Sequence, residues 1–264
     1  MKFAILGAGP SGMMAAHAVA QYGHQPTILD KEPDKTRRNS GVYYLHDPCD
    51  LPLKPFTIYQ NLIGGYLSPD EIKMYYGFKV YGQRIEKVSV LNALTHPEIQ
   101  GYNAEQALGL LWDIYGSFVK QRTIQNYDDI KQLLEMEDFD GVVSTIPARV
   151  LFPNECYVWA ETHIKVGKAP LDESYILYNV NPYIDWYRCS AMFGVFVQEF
   201  GFGKCVDKAN GYQIRKVMKV MNSEPIVAAD KHVLLTGRYG AWDKTCLTHN
   251  VYERTLAWLD TVYG

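Results

Sequence analysis

MKFAILGAGPSGMMAAHAVAQYGHQPTILD, residues 1–30, reads as one strand, turn, helix and strand built around a phosphate. Lys2 to Leu6 is a short apolar run, Gly7-Ala8-Gly9-Pro10-Ser11-Gly12 a glycine turn, Met13 to Tyr22 an apolar helix, and Pro26 to Leu29 a second strand ending at Asp30. Gly7 permits a tight turn out of the strand, Gly9 lets the backbone approach a pyrophosphate with no Cβ in the way, and Gly12 lets the helix pack close to the sheet. The helix points its free N–H groups and the positive end of its dipole at the phosphates. Asp30, at the tip of the second strand, is placed to accept from the ribose hydroxyls of an adenosine, a solvated strand-end acid being the alternative. The stretch predicts a bound adenine dinucleotide.

The remaining composition narrows the setting. A chain of 264 residues can bury a substantial core, and its formal net charge of −3 gives no electrostatic reason for tight non-specific nucleic-acid binding. Cys49, Cys156, Cys189, Cys205 and Cys246 are scattered, odd in number and without a CxxC pair, so neither a disulfide framework nor a metal site is expected. The opening residues enter a core strand directly and no apolar run approaches membrane-spanning length, which predicts a cytoplasmic protein with no membrane partner.

After Asp30 the chain turns polar through Lys31 to Gly41, then recovers in the extended segment Val42 to His46. Lys31 is placed over the adenosine ribose, Arg37 or Arg38 can reach the pyrophosphate, Gly41 lets the chain pass under a flat ring, and His46 is the histidine expected near that ring, with a structural histidine as the alternative. From Asp47 to about Asn92, runs such as Ile72 to Tyr76 and Phe78 to Tyr81 suggest strands of a second, smaller sheet. Asn103 caps a helix reaching to Lys120, Arg122 to Tyr127 reads as a short strand, Asp128 to Met136 as a helix, and Asp140 to Pro147 as a buried strand. Alternating helices and apolar strands imply a parallel sheet, whose carboxyl edge brings Thr145 and Pro147 to the nucleotide crevice.

Residues 155 to 227 read as the rest of the second sheet, followed by a short amphipathic helix from Tyr212 to Met221. Arg188, beside Tyr187, is either an anion clamp or an ordinary strand-edge arginine. Lys231 to Thr236 is a last buried strand, Gly237 to Trp242 a glycine turn, and Leu247 to Val262 a helix. The terminal strand, turn and helix repeat the form of the opening and supply a second helix N-terminus, suited to negative charge developing on a ligand.

The opening GAGPSG with Asp30-Lys31, the VVSTIP strand from Val142 to Pro147 and the terminal GRYGAW together resemble the FAD-dependent amine-oxidase and UDP-galactopyranose-mutase class. More narrowly, SGVYYLHDP, KVYG, DWYRCS and GRYGAW look like small bacteriophage-encoded FAD-dependent oxidoreductases. The resemblance implies a Rossmann-like FAD-binding domain from residues 1–48, 104–150 and 228–264, and an interleaved, mainly β substrate or cap domain from residues 49–103 and 151–227. FAD would meet Gly7, Gly9, Pro10, Ser11, Gly12, Asp30, Lys31, Arg38, Gly41, Thr145, Pro147, Gly237, Arg238, Trp242, Leu247 and Thr248, with His46, Arg188 and Tyr187 as catalytic candidates. Departures occur where amine oxidases place a glycine pair after the acidic strand, here Arg37 to Gly41, and where the mutases follow GR with tyrosines, here Trp242 and Lys244. The implied activity is oxidation or cleavage of a C–N bond next to an amine, in a small molecule or in an amino-acid–thymine adduct of phage DNA. A mutase-like isomerase using reduced flavin, an NAD-dependent dehydrogenase and a non-catalytic FAD-binding module are the alternatives.

Overall fold

The computed structural model describes the chain except for residues 35–42, 65–66, 85–88, 170–173, 205, 207–210 and 222–223. The first half carries β1 (Lys2–Leu6), α1 (Pro10–Gln21), β2 (Gln25–Asp30), β3 (Tyr44–Leu45), β4 (Pro55–Ile63), α2 (Pro69–Tyr81), α3 (Asn92–Thr95), β5 (Glu98–Asn103), α4 (Ala104–Tyr115), β6 (Val119–Gln121) and α5 (Tyr127–Met136). The second carries β7 (Gly141–Ser144), α6 (Ala148–Leu151), β8 (Trp159–Lys168), β9 (Tyr175–Asn179), β10 (Trp186–Met192), β11 (Val195–Phe200), β12 (Gln213–Val220), β13 (Val233–Leu235) and α7 (Thr248–Tyr263). These elements form two compact units interleaved in sequence: Met1–Lys54, Tyr102–Val158 and Asn222–Gly264 in the first, Pro55–Gly101 and Trp159–Met221 in the second.

The first unit is a five-stranded sheet in the order β13-β7-β1-β2-β6, with its paired strands parallel. Its central strand β1 alternates between two cores. Phe3 and Ile5 pack with α1, α4 and α7, while Ala4 and Leu6 pack on the other side with Ile130 and Leu133 of α5. Burying both faces is what a parallel sheet requires, and each fully buried Phe, Ile or Leu contributes about 1.5–3 kcal/mol. Helix α1 is buried from Gly12 to Val19 without a polar stripe, as its run of Ala, Met and Val dictates. Asn103 caps α4 by accepting from the N–H groups of Glu105 and Gln106 at 2.9 and 3.1 Å. The helix ends at Tyr115 rather than Lys120, because Gly116 to Phe118 tighten into a 3-10 turn and Val119 to Gln121 pair with β2 as the edge strand β6. That strand precedes the expected Arg122–Tyr127, where Asn126 instead caps α5 through the N–H of Asp129 at 3.1 Å.

The second unit is a mixed, mainly antiparallel sheet whose strands follow the order β12-β8-β11-β10-β9-β4-β5, with β4 and β9 parallel. Two expectations are corrected here. Residues 72–81 form helix α2 and not strands: Ser68 and Glu71 make a reciprocal capping box, Pro69 sits in the first turn, and Gly82 closes the helix at φ +71°. Ile72, Tyr76 and Val80, at helical spacing, are its buried stripe. Residues 213–220 form strand β12 and not a helix, paired along their length with β8 from Gln213 opposite Val166 to Val220 opposite Trp159. Arg215, Lys216 and Lys219 are the charges expected on an edge strand, where they oppose pairing with another chain.

Candidate functional site

The site is built where β1 ends. Gly7, at φ +98°, turns the chain out of the strand while its N–H donates to Leu29 O at 2.8 Å. A Cβ on Gly12 would lie 1.7 Å from Gly7 O, so α1 packs on the turn only because that side chain is absent. Gly9 behaves differently. It is exposed, caps α1 without a side-chain partner, and a Cβ there would meet nothing within 4 Å. Neither the turn nor the helix needs glycine at position 9 for packing, and the space a Cβ would take there is open. Pro10, with no N–H of its own, occupies the first helical position.

Asp30 lies at the tip of β2, where its two carboxylate oxygens accept from Ala8 N at 2.7 Å and Glu32 N at 2.8 Å. The acid therefore fastens the glycine turn to the loop after β2, and each oxygen keeps a lone pair for a further donor. Lys31 is exposed, with its carbonyl accepting from Gln121 Nε2 at 3.1 Å. Thr145 follows β7 and binds Leu6 O twice, through its N–H at 3.0 Å and its hydroxyl at 2.8 Å. Pro147 is half-buried at the start of α6. Arg38 and Gly41 lie outside the described residues.

The last turn of the chain folds onto the first. Gly237 is at φ +81°, and a Cβ there would meet Ser11 Oγ at 3.0 Å; one on Gly240 would lie 2.1 Å from Thr236 O and 2.9 Å from Ser144 O. Residues 7–12, 145 and 237–240 thus form one cluster at the carboxyl edge of the parallel sheet. Arg238 is exposed in this turn and its guanidinium has no ion pair among the described residues. Trp242, expected to touch the ligand, is a core residue: fully buried at φ +51°, its ring sits 4.8 Å from that of Tyr157 and 6.2 Å from that of Tyr239.

Asp243, which the sequence did not single out, holds the approach to α7. Its Oδ1 accepts from Thr245 N at 2.8 Å and Thr245 Oγ1 at 2.7 Å, and its Oδ2 from Arg254 at 2.8 Å. Burial would raise its carboxyl, but these hydrogen bonds and the Arg254 charge hold it below its usual range. Leu247 precedes α7 and donates its N–H to Asn250 Oδ1 at 3.0 Å, and Thr248 opens the helix; both are half-buried. His249 follows in the first turn, 8% exposed, with its ring 5.1 Å from that of His46. Burial and the neighbouring His46 push His249 down to about 4, so it is neutral at ordinary pH. His46 is thereby placed at the N-terminus of α7, and Tyr44 stacks edge-on against it at 4.9 Å. His17 is structural: its ring nitrogens lie 2.9 Å from Tyr115 Oη and 3.0 Å from Cys49 O.

Arg188 and Tyr187 belong to β10 of the second unit, where Arg188 is ion-paired with Glu199 and Tyr187 donates its hydroxyl to the same carboxylate. Among the described residues no group of three or more His, Cys, Asp or Glu is arranged to hold a metal, and no helix is long and apolar enough to cross a membrane.

No family model matches this chain, and no curated protein matches it in sequence. Solved structures match along its length. An oxidoreductase from Methanosarcina mazei aligns over 98% of this chain and 100% of its own, with a TM-score of 0.61 at 8% identity. A CLA-producing fatty acid isomerase from P. acnes aligns over 99% and 98%, with a TM-score of 0.59 at 10% identity. Klebsiella pneumoniae HpxO complexed with FAD and uric acid aligns over 97% and 78%, with a TM-score of 0.53 at 11% identity. The chain shares their fold. At these identities the likeness is one of architecture, a parallel α/β unit interleaved with a mixed sheet.

Proposed function

We propose that this chain is an FAD-dependent oxidoreductase. The observation that carries the reading is the empty place a Cβ would take at Gly9, on a helix start with no capping side chain, at the edge where the first and last turns of the chain meet. A turn that keeps glycine without needing it for its own packing is suited to close approach by a ligand, and an uncapped helix N-terminus is suited to phosphate. The fold shared with HpxO, whose structure contains FAD, supports the same reading.

In this reading the N–H groups of Ser11 and Gly12 hold the pyrophosphate, and Asp30 accepts from the adenosine ribose with Lys31 beside it. Residues 145–147 and 237–238 line the same edge, and Leu247 and Thr248 offer the second helix N-terminus. FAD, when bound, supplies a two-electron oxidant for a C–H or C–N bond. Arg238 brings positive charge to the carboxyl edge of the sheet. His46 and His249, at the start of α7, are the imidazoles available to a substrate proton. Arg188 and Tyr187 belong to β10 of the second unit. The finer reading, oxidation or cleavage of a C–N bond next to an amine, free or as an amino-acid–thymine adduct in DNA, rests on the sequence motifs.

The test is the cofactor itself. Purified protein should carry flavin absorbance and release FAD on denaturation, and Gly9→Ala should lose most of that cofactor while melting like the flavin-free parent. Parent protein that carries no flavin and takes up none would overturn the reading, and a Gly9→Ala protein with full flavin content would overturn the placement of the pyrophosphate at Gly9. Anaerobic mixing with free amines, amino acids and aminoacyl-thymine oligonucleotides then sorts the substrates by which of them bleaches the flavin, and Arg238→Ala should slow that bleaching. Isomerisation of a sugar nucleotide by the reduced protein, with no bleaching by any amine, would replace amine oxidation by the mutase activity.

A further inference from the structure

The chain turns sharply between β3 and β4. Cys49 and Asp50 both take left-handed backbone, at φ +53° and +59°, and Leu51 N donates to Pro48 O at 3.1 Å across them. Positive φ at both central residues is the mark of a type I′ turn, which favours Asn-Gly because a Cβ crowds the backbone in that conformation. Asp tolerates it through its short polar side chain, whereas cysteine has no local reason to adopt it. Outliers of this kind persist only where the surroundings over-determine them, and they gather at functional sites.

Four contacts hold the turn. Asp47 Oδ1 accepts from Cys49 N at 2.7 Å. His17 of α1, which burial pushes down and so keeps neutral, has Nε2 3.0 Å from Cys49 O. A carbonyl only accepts, so Nε2 carries the proton and Nδ1 accepts from Tyr115 Oη at 2.9 Å. Tyr252 of α7 donates its hydroxyl to Asp50 Oδ2 at 2.5 Å. The buried Cys49 thiol lies 3.7 Å from the carbonyl of His249 and 3.6 Å from that of Asp47. The turn is thereby tied to α1 once and to the start of α7 twice.

What the turn carries is His46, one residue before Asp47. Its ring is exposed and stands 5.1 Å from that of His249, at an interplanar angle of 70°. Neither imidazole has a hydrogen bond of its own among the described residues, so their approach depends on the backbone that bears them. The groups around the pair are Tyr44 on β3, Asp47 and Asp50 on the turn, His17 on α1, and Tyr252 and Glu253 on α7. The two acids of the turn are engaged by Cys49 N and Tyr252, and neither is bonded to an imidazole.

We infer that the Cys49–Asp50 turn is a strained clamp that positions His46 against His249 at the start of α7, with Tyr252, His17 and the Cys49 thiol as its positioning residues. The inference deepens the reading of His46 and His249 as the imidazoles available to a substrate proton, and rests on that reading for their role.

Proton NMR of the two histidines tests it, with thermal melt and flavin content measured on the same samples. In the parent the two rings should show a through-space contact, and His249 should titrate near 4. Tyr252→Phe, which removes only the hydroxyl, and Asp50→Ala should each weaken that contact and move the His249 titration up by about one pH unit or more, as water and distance relieve burial and the neighbouring ring. Asp50→Asn keeps an acceptor and tolerates positive φ, so it should behave as the parent. Cys49→Gly should melt above Cys49→Ala, the reverse of the usual order, because glycine carries no strain at positive φ. An unmoved contact and titration in Tyr252→Phe and Asp50→Ala, or Cys49→Ala melting above Cys49→Gly, would end the proposal. If Asp50→Ala does not fold, Tyr252→Phe decides. Flavin-free protein whose histidines respond as described would sink the FAD reading and leave the clamp standing, and flavin-loaded protein whose histidines do not respond would do the reverse.

Discussion

Glu199 should give the second unit a distinct acid sensitivity. Burial alone would raise its carboxyl, but the Arg188 and Lys219 charges and the hydrogen bonds from Tyr187 and Arg188 hold it down to about 2, against an ordinary 4.5. A carboxylate that protonates less readily in the folded state stabilises that state above its unfolded value, and the contribution is lost as pH falls through the folded value. The window therefore runs from about pH 4.5 down to about pH 2, and a gap of this size corresponds to about 3 kcal/mol. That figure is an upper value, because water reaches Arg188 and screens part of the attraction. Urea unfolding of the parent and of Glu199→Gln, measured at pH 7, 4.5, 3 and 2, isolates the effect from the other carboxylates. At pH 7 the variant should be less stable by about 3 kcal/mol, since it leaves two cations facing a neutral amide. As the parent's own carboxyl protonates, the difference should shrink towards zero near pH 2. A difference that stays constant from pH 7 to pH 2, or that is already absent at pH 7, would show that the ion cluster does not hold Glu199 in its charged form.

His249 titrates in a different range. Its imidazole is pushed down to about 4 by burial and by His46, against an ordinary 6.5, and the positive end of α7 opposes its protonation as well. Because the unfolded chain takes the proton first, this contribution is intact above pH 6.5 and fades as pH falls towards 4. His249→Gln should flatten the stability profile in that interval, and proton NMR should find no titration of His249 above about pH 5; an imidazole titrating near 6.5 would refute the placement. The two glycines of the opening turn should part company on substitution. Gly12→Ala sets a Cβ 1.7 Å from a backbone oxygen and should cost more than about 3 kcal/mol or abolish folding, because neither helix nor turn can yield that far, whereas Gly9→Ala should leave the thermal melt of the flavin-free protein unchanged. Equal melts for the two variants would contradict the packing described for α1.

The opening β1-α1-β2 segment was legible because its information is local: an apolar strand, glycines at fixed offsets, an alanine-rich helix and a strand-end acid lie within thirty consecutive residues. The terminal turn was legible for the same reason, although its contact with Ser11 is not local and appears only in the fold. The second unit was harder, because aromatic and β-branched residues serve helix and strand alike. Helix α2 looked like strands when its tyrosines and Val80 were weighed by propensity, yet Ser68, Pro69 and Glu71 spelled a helix start, and Ile72, Tyr76 and Val80 kept helical spacing. Strand β12 looked helical because Arg215, Lys216 and Lys219 are good helix formers; pairing with β8 overrides that preference.

Other features carry no sequence signal. His46 and His249 lie on distant segments, and only the packing of β3's exit against α7 makes them neighbours. Arg188 is the sharpest case. In a regular strand Tyr187 and Arg188 would point to opposite faces, and Glu199, opposite one of them, would meet only one. Inserting one residue into the register of β10 brings both to the same carboxylate, which in turn draws Lys219 over the Tyr187 ring. The choice between an anion clamp and an ordinary edge arginine is therefore not a property of Arg188 as a residue type. It is set by the bulge, because that single irregularity gives Glu199 a tyrosine hydroxyl and two cations at once.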